Sequence, residues 1–285
     1  MPELPEVETM VRGLRGVLPG RRLRRLEVRD PSLLQGCTAT SLMRRMRGGT
    51  VADVGRRGKW VVIELEGDVG LIVIQPRMTG GFWLIEPDRP EHIRLSFHLE
   101  KPDATIWYCD ARRLGKVSWY QDAAVAETAF GRSHGPDALR IDRDDLAGRL
   151  ARTSRGIKPT LMDQKVLAGI GNIYADETLH RAGLHPEQPS SSLSADEITR
   201  LHRAIGEVLA RAIELEGSSF DAGYRTVLGL EGGFLAQNSV YGREHQPCPS
   251  CARPIRKTRI AGLIGRPTYY CPTCQVIPPS TSRSR

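Results

Sequence analysis

Two residues at the start of the chain, Pro2 and Glu3, combine a possible nucleophile with a possible acid or base. Because Pro2 is small, we expect Met1 to be removed, so that the mature chain begins with a secondary amine. An α-amino group titrates near about 8 and a lysine near about 10.4, so the terminal amine is uncharged far more often at neutral pH. Such an amine can attack an electrophilic carbon and form a cationic iminium, while Glu3 transfers protons. The alternative is structural, since proline and acidic residues also favour the first turn of a helix.

Four of the six cysteines form two C-x-x-C pairs, the ligand spacing of a metal site. Nineteen residues separate Cys248 and Cys251 from Cys271 and Cys274, which predicts a four-cysteine zinc ribbon. Iron also accepts four thiolates, so the pattern alone leaves the metal open. The other two cysteines, Cys37 and Cys109, are isolated and are interpreted as buried apolar residues.

Both ends of the chain are cationic, which favours a polyanionic partner. The net charge is +8; residues 12–29 hold seven arginines, and residues 241–285 hold eight Lys or Arg against one acid. The segment 55–60, which leads into a predicted strand, contains two glycines and three basic residues, Arg56, Arg57 and Lys59. Solubility alone would also explain these clusters.

Three more turns carry candidate binding residues. Gly169 and Gly171 interrupt a helical pattern, and Asn172 is predicted to be the N-cap of the next helix, where backbone N–H groups make an anion site. An ordinary tight connection explains this turn equally well. Met78 and Leu114 lie beside arginines in turns between strands and are either core residues or wedges that enter a base stack.

The elements that position these residues are predicted from periodicity. Apolar residues at helical spacing predict an amphipathic helix over 3–19, and short β-branched segments from about 21 to 120 predict an antiparallel sandwich or barrel. After a linker at 133–137, helices are predicted around 146–150 and over 161–167, 173–181 and 195–215. Ser194 and Glu197 have capping-box spacing for the last helix.

The chain is long enough for two or three domains: it has 285 residues, 40% of them hydrophobic. It has no run of about 18 apolar residues and no secretory core, so we expect a cytoplasmic protein without a membrane partner. We predict a β-sandwich domain over 1–133, a helical domain over 134–237, a zinc hairpin over 238–275 and a disordered tail over 276–285.

Taken in order, these motifs resemble the bacterial formamidopyrimidine-DNA glycosylases of the Fpg/endonuclease VIII family. The resemblance covers residues 1 to about 275, and the opening Pro-Glu-Leu-Pro-Glu differs from the Pro-Glu-Gly-Pro-Glu of endonuclease VIII. The motifs are residues 2–9, Gly58-Lys59, Met78-Thr79-Gly80, Asp110-x-Arg112-Arg113-x-Gly115, residues 169–174, Val240–Arg243 and the ribbon. The resemblance implies an α+β multidomain fold: an N-terminal antiparallel β-sandwich with a leading helix, a helix-two-turn-helix domain and a C-terminal hairpin with one structural zinc.

The implied activity is base-excision repair: a monomeric glycosylase and AP lyase, associated with the nucleoid, that removes 8-oxoguanine and formamidopyrimidines from damaged double-stranded DNA. By its motifs, Pro2 is the Schiff-base nucleophile at the sugar C1′, and Glu3 protonates the sugar or the leaving base. Lys59 matches a lysine that contacts phosphate and donates a proton during β-elimination, and Arg266 matches the hairpin arginine linked to δ-elimination.

The resemblance also implies a set of DNA-binding residues. Met78 and Arg112 match residues that fill the gap left by a flipped base, with Arg113 and Leu114 in the same turn. Lys158 and Asn172 match phosphate contacts.

The chain departs from the family pattern at four places. Leu114 replaces a phenylalanine wedge, Gln75-Pro76 replaces His-Leu, and Pro90-Glu91-His92 replaces His-Asp-His. The hairpin has 19 residues between its cysteine pairs instead of the usual 16, and the excess is expected at 260–264. Three alternatives to an oxidised-purine glycosylase stay open. They are the same chemistry on oxidised pyrimidines, a DNA-damage binding protein that has lost catalysis, and a nucleic-acid-binding zinc-ribbon protein unrelated to repair.

Overall fold

The computed structural model describes residues 2–67, 70–219 and 223–277. The chain forms two compact units, Met1–Ser133 with Ala212–Leu235, and His134–Arg211 with Ala236–Arg285. Residues 212–235 thus belong to the first unit and the hairpin cysteines to the second, whereas the sequence division into four segments stays a prediction. The tail from residue 278 and the fate of Met1 lie outside the described residues.

The first unit is a β-sandwich led by a helix, α1 (Leu4–Arg15). One sheet has the order β1-β7-β8-β6 and the other β2-β9-β5-β4-β3; the pairs are antiparallel except β2–β9. The strands are β1 (Leu23–Val28), β2 (Leu34–Gln35), β3 (Val51–Arg57), β4 (Trp60–Leu65), β5 (Gly70–Gln75), β6 (Gly80–Trp83), β7 (Ile93–Leu99), β8 (Ala104–Asp110) and β9 (Lys116–Tyr120). Two further helices are α2 (Ala39–Met46) and α3 (Ala123–Ser133).

The core of this unit joins α1 to both sheets. The apolar stripe of α1, including Met10 and Leu14, is buried with the inward residues of the strands. The helix ends at Arg15, earlier than predicted, because the N–H groups of Val17 and Leu18 both turn back to the carbonyl of Leu14. The sequence patterns did not predict α3, which buries Phe130 against β4 and β5 residues.

The second unit contains helices and a two-stranded hairpin. Its elements are α4 (Arg143–Leu150), α5 (Ile157–Met162), α6 (Asn172–Ala182), α7 (Ala195–Glu214), whose last three residues fall in the first unit, β10 (Arg256–Thr258) and β11 (Thr268–Tyr270). The mixed α+β class, with a sandwich, a helical part and a cysteine hairpin, is as predicted.

Two helix ends test the sequence patterns in detail. The helix predicted over 161–167 is wrong, because α5 ends at Met162 and the carboxylate of Asp163 accepts the N–H of Lys165 in a local turn. The capping box of α7 is confirmed, since the Ser194 N–H donates to Glu197 and the Glu197 N–H donates to Ser194 Oγ. Among the described helices, none combines the length and apolarity needed to cross a membrane.

Candidate catalytic and DNA-binding sites

The predicted nucleophile and acid lie at a fixed helix start. Pro2 is buried, and Glu3, 2% exposed, is the N-cap of α1. The carboxylate of Glu6 accepts the Glu3 N–H through Oε2 and the Ser218 N–H through Oε1, both at 2.7 Å. The helix-entry interpretation is therefore correct, and the peptide nitrogen next to Pro2 is anchored by a buried acceptor.

The predicted lysine lies in a two-residue hairpin turn between β3 and β4. Gly58, with φ +53°, is the first turn residue, as a type II′ turn requires, and Lys59, 9% exposed, is the second. Arg56 donates from Nε to Glu8 Oε2 at 2.8 Å and from Nη1 to the Gly58 carbonyl at 3.0 Å. Glu8 and Arg56 thus connect the helix that follows Glu3 to the turn that carries Lys59.

Glu8 is held as a carboxylate by its neighbours. Burial raises its pKa, but hydrogen bonds and Coulombic attraction from Arg56 and Arg12 outweigh burial, so the pKa is lowered. Sequence reasoning missed this link, because Glu8 resembles an ordinary helix acid and Arg56 resembles one cation of a basic turn.

The predicted gap-filling residues share one buried carboxylate. Asp110 is fully buried; it accepts the hydroxyl of Thr79, the Arg112 N–H at 3.3 Å and the Gly115 N–H at 2.7 Å. These contacts join the 77–80 turn to the 110–115 turn. The side chain of Arg112 then lies 3.4 Å from Met78 Sδ.

Met78 and Leu114 are displayed rather than buried, each 40% exposed. Each follows an arginine in the left-handed region, Arg77 with φ +56° and Arg113 with φ +56°. This conformation costs a non-glycine residue about 1–2 kcal/mol. Arg113 also pairs with Asp30, at 3.4 Å between Nε and Oδ2. The core interpretation of Met78 and Leu114 is wrong, and neither left-handed arginine had a sequence signal.

A pocket of about 310 Å³ opens beside the 77–80 turn. Its lining includes Thr79, His92 and Arg225. Pro2, Glu3 and Lys59 do not line it, so we assign it no step of the reaction.

In the second unit, Lys158, predicted as a phosphate contact, is fully buried. Its Nζ lies 2.8 Å from Asp176 Oδ1 and donates to the Pro267 carbonyl at 3.0 Å and to Thr268 Oγ1 at 2.9 Å. Burial raises the pKa of Asp176 to about 7 despite the attraction of Lys158. Three oxygens thus surround its ammonium group and hold it against the chain next to Arg266. A phosphate contact from Lys158 stays a prediction.

The start of α6 fixes two loop segments. Gly171, not Asn172, is the N-cap, and Asn172 Nδ2 donates to the Pro267 carbonyl at 3.1 Å. The buried carboxylate of Glu177 accepts the N–H groups of Val240 and Tyr241 at 3.0 and 2.8 Å. The N-cap prediction for Asn172 is wrong because Gly171, with a non-helical backbone at φ −128° and ψ −150°, is the residue that precedes the helix. A phosphate contact from Asn172 stays a prediction.

The four hairpin cysteines fit a tetrahedral zinc ion. Their sulfur atoms all lie within 4.8 Å of one another, with 3.9 Å between Cys248 and Cys274 and 3.4 Å between Cys251 and Cys271. A tetrahedron with Zn–S bonds of about 2.3 Å has edges of about 3.8 Å. His180 Nε2 lies 3.4 Å from Cys248 Sγ, so α6 also supports the cysteine site.

Comparison with known proteins places each segment. Residues 1–117 match the formamidopyrimidine-DNA glycosylase N-terminal domain, residues 134–222 its H2TH domain, and residues 246–276 the zinc finger found in FPG and IleRS. The last match identifies the metal as one structural zinc, which the sequence spacing had left open.

Full-length relatives agree with these matches. The formamidopyrimidine-DNA glycosylase of Thermus thermophilus is 42% identical over 96% of this chain and 98% of its own length, and that of Bacillus subtilis is 36% identical over 96% and 99%. The crystal structure of the Thermus thermophilus MutM (Fpg) protein has a TM-score of 0.84 at 40% identity, over 98% of this chain and 100% of that one. Lactococcus lactis Fpg in complex with DNA containing an abasic site has a TM-score of 0.85 at 31% identity, over 96% and 99%. The chain therefore belongs to the formamidopyrimidine-DNA glycosylase family.

Proposed function

We propose that this base-excision repair glycosylase removes oxidised purines from duplex DNA through the Pro2 amine and then cleaves the strand as an AP lyase. The observation that carries the proposal is the fixed helix start, where Glu3 is 2% exposed and its N–H is held by Glu6. A nucleophile and a proton donor on adjacent residues need such a support, because a frayed terminus would lose their alignment.

The first step transfers the sugar from the base to the enzyme. The Pro2 nitrogen bonds to C1′ as the bond from C1′ to the damaged base breaks, and the base leaves with the electron pair and a proton. Glu3 protonates the leaving base or the sugar ring oxygen. Opening of the ring then leaves a cationic iminium between Pro2 and C1′.

The following steps cleave the strand on either side of the sugar. The iminium makes the C2′ proton acidic, and its loss expels the 3′ phosphate in a β-elimination, during which Lys59 contacts phosphate and donates a proton. Arg266 grips phosphate during the second, δ-elimination. The chemistry requires a free Pro2 amine, so it requires the loss of Met1.

The DNA must also lose a base from its stack. We assign the space left by that base to Met78, Arg112 and Leu114, of which the two apolar residues are each 40% exposed. Their fixed display from turns that meet at Asp110 supports this role. We further propose that the enzyme acts as a monomer in the cytoplasm, on nucleoid DNA.

Borohydride trapping tests the nucleophile. The mature protein is incubated with a duplex containing 8-oxoguanine and reduced, and the expected product is a covalent protein–DNA adduct. Pro2→Gly and a form that retains Met1 should give none, and intact mass establishes which form is present. Absence of an adduct with every oxidised-base and abasic duplex would contradict the proposal, and an adduct confined to oxidised pyrimidines would change the substrate class.

A further inference from the structure

The tip of the zinc hairpin is built from two β-turns in series. The Leu263 N–H donates to the Ile260 carbonyl at 3.1 Å, and the Arg266 N–H donates to the Leu263 carbonyl at 3.2 Å. Gly262, with φ +84°, and Gly265, with φ +70°, occupy the third position of each turn. A Cβ at either glycine would meet open space, so the left-handed backbone and not packing requires glycine there.

The second turn displays an apolar side chain to solvent. Ile264 is 96% exposed, the highest value for a large apolar residue among the residues that the structure describes. It is the second residue of its turn, directly before Gly265 and Arg266. The hydrogen-bonded turns on both sides of Leu263 fix where Ile264 stands.

The hairpin that carries Ile264 is strongly cationic. The hairpin carries exposed Arg253, Arg256, Arg259 and Arg266, and the sequence from 245 to 285 has no acidic residue. In the described parts of the chain, none of these four guanidinium groups forms an ion pair with a carboxylate. An apolar tip between phosphate-binding cations is how minor-groove proteins combine backbone contacts with an apolar insertion.

We propose that the double turn is a DNA-groove contact in which Ile264 packs against sugar and base edges while Arg259 and Arg266 contact phosphates. The inference rests on the proposed function, since it takes damaged duplex DNA as the ligand. It adds an apolar contact that depends on shape and not on charge. A protein partner fits less well, because an isolated side chain among cations offers no apolar patch.

The test measures the Kd for a labelled duplex containing a stable abasic-site analogue, by fluorescence anisotropy over a range of salt concentrations. Ile264→Ser should weaken binding about tenfold, the effect of removing about half of a buried isoleucine's transfer free energy. The salt dependence should keep its slope, because no phosphate contact is lost. Arg259→Ala should instead reduce the slope by about one.

Deletion of residues 262–264 is a second variant that keeps the fold of the tip. It leaves Ile260-Ala261-Gly265-Arg266, a single turn that again has glycine in third position. This deletion should weaken binding at least as much as Ile264→Ser while the zinc content stays at one. Val276→Ser, which changes a side chain that is 60% exposed outside the double turn, is the matched control and should bind like the parent.

The outcomes separate the two levels of proposal. If the parent protein does not bind the duplex, the proposed function fails. If the parent binds and both Ile264→Ser and the deletion bind equally well, the groove contact is refuted, and a tip that serves a protein partner would give that same result.

Discussion

Asp110→Asn should destabilise the first unit and disorganise the residues that we propose fill the DNA gap. The parent carboxylate is fully buried and accepts three hydrogen bonds, from Thr79, Arg112 and Gly115. In the variant, one oxygen still accepts, but the new amide group is a donor. In one orientation of the side chain, this amide group faces the Gly115 N–H. In the other, it faces the Thr79 hydroxyl and the Arg112 N–H, so in both cases a donor meets a donor.

The magnitude follows from these contacts. A buried donor without an acceptor costs about 1–3 kcal/mol, and the bonds that remain lose the strength given by the ionised acceptor. We therefore expect the free energy of unfolding to fall by about 2–4 kcal/mol. Either orientation breaks a contact that joins the 77–80 and 110–115 turns at Asp110 or that orders the 110–115 turn, so Met78 and Arg112 lose their fixed spacing of 3.4 Å between Sδ and Nη1.

Urea unfolding followed by tryptophan fluorescence measures the stability, and Kd for an abasic-analogue duplex measures the effect on the proposed gap-filling residues. Asp122→Asn is the matched control, because Asp122 accepts one N–H, that of Val125, near the surface at 2.7 Å; it should lose about 1 kcal/mol or less. An Asp110→Asn protein within about 0.5 kcal/mol of the parent, with unchanged Kd, would refute the reasoning.

Four further changes test other parts of the structure. Lys158→Met leaves the Asp176 carboxylate buried without its lysine, so the free energy of unfolding in urea should fall by about 3–5 kcal/mol. Adding Asp176→Asn should restore part of this stability. Equal stability of the parent and Lys158→Met would refute the buried pair. The pKa of Glu8 is lowered from 4.5, so its ionised form stabilises the fold above that pH, and this contribution is lost as the pH falls through the folded pKa. In urea unfolding, the parent should therefore be more stable than Glu8→Gln at pH 7, and the difference should shrink near pH 4. A stability difference that grows on acidification would contradict the lowered pKa. Gly217→Ala places a Cβ 2.7 Å from Glu6 Oε1 at φ +83° and should lower the midpoint of thermal unfolding, whereas Gly148→Ala, with open space at its Cβ, should not. Cys274→Ser should abolish zinc binding in a colorimetric assay, while Cys37→Ser should retain one zinc.

Local patterns predicted most of the framework, because each of those signals is contained in a short segment. The apolar spacing of α1, the glycine of the Lys59 turn, the α7 capping box and the cysteine pairs all depend on neighbours within a few residues. The family resemblance then supplied candidate residues with roles that no single segment implies.

Two helix boundaries were wrong for local reasons, and contacts between distant residues could not be predicted. Lys158 resembles any surface lysine in sequence, and only the fold brings Asp176 and Pro267 around it. The roles of Asp110 and Glu177 were missed for the same reason, since their partners are backbone N–H groups of other segments. Such acceptors leave no trace in periodicity or composition.

The Glu6 carboxylate has a consequence for how the first unit responds to its substrate. Its two oxygens are divided between the Glu3 N–H and the Ser218 N–H, so the start of the chain and the segment after α7 share one acceptor group. Ordering the start of the chain therefore favours ordering of the segment after α7, and the reverse also holds with the same coupling free energy. A ligand that orders residues 217–219 also orders the peptide next to Pro2, and removal of the Glu6 carboxylate should release both segments together.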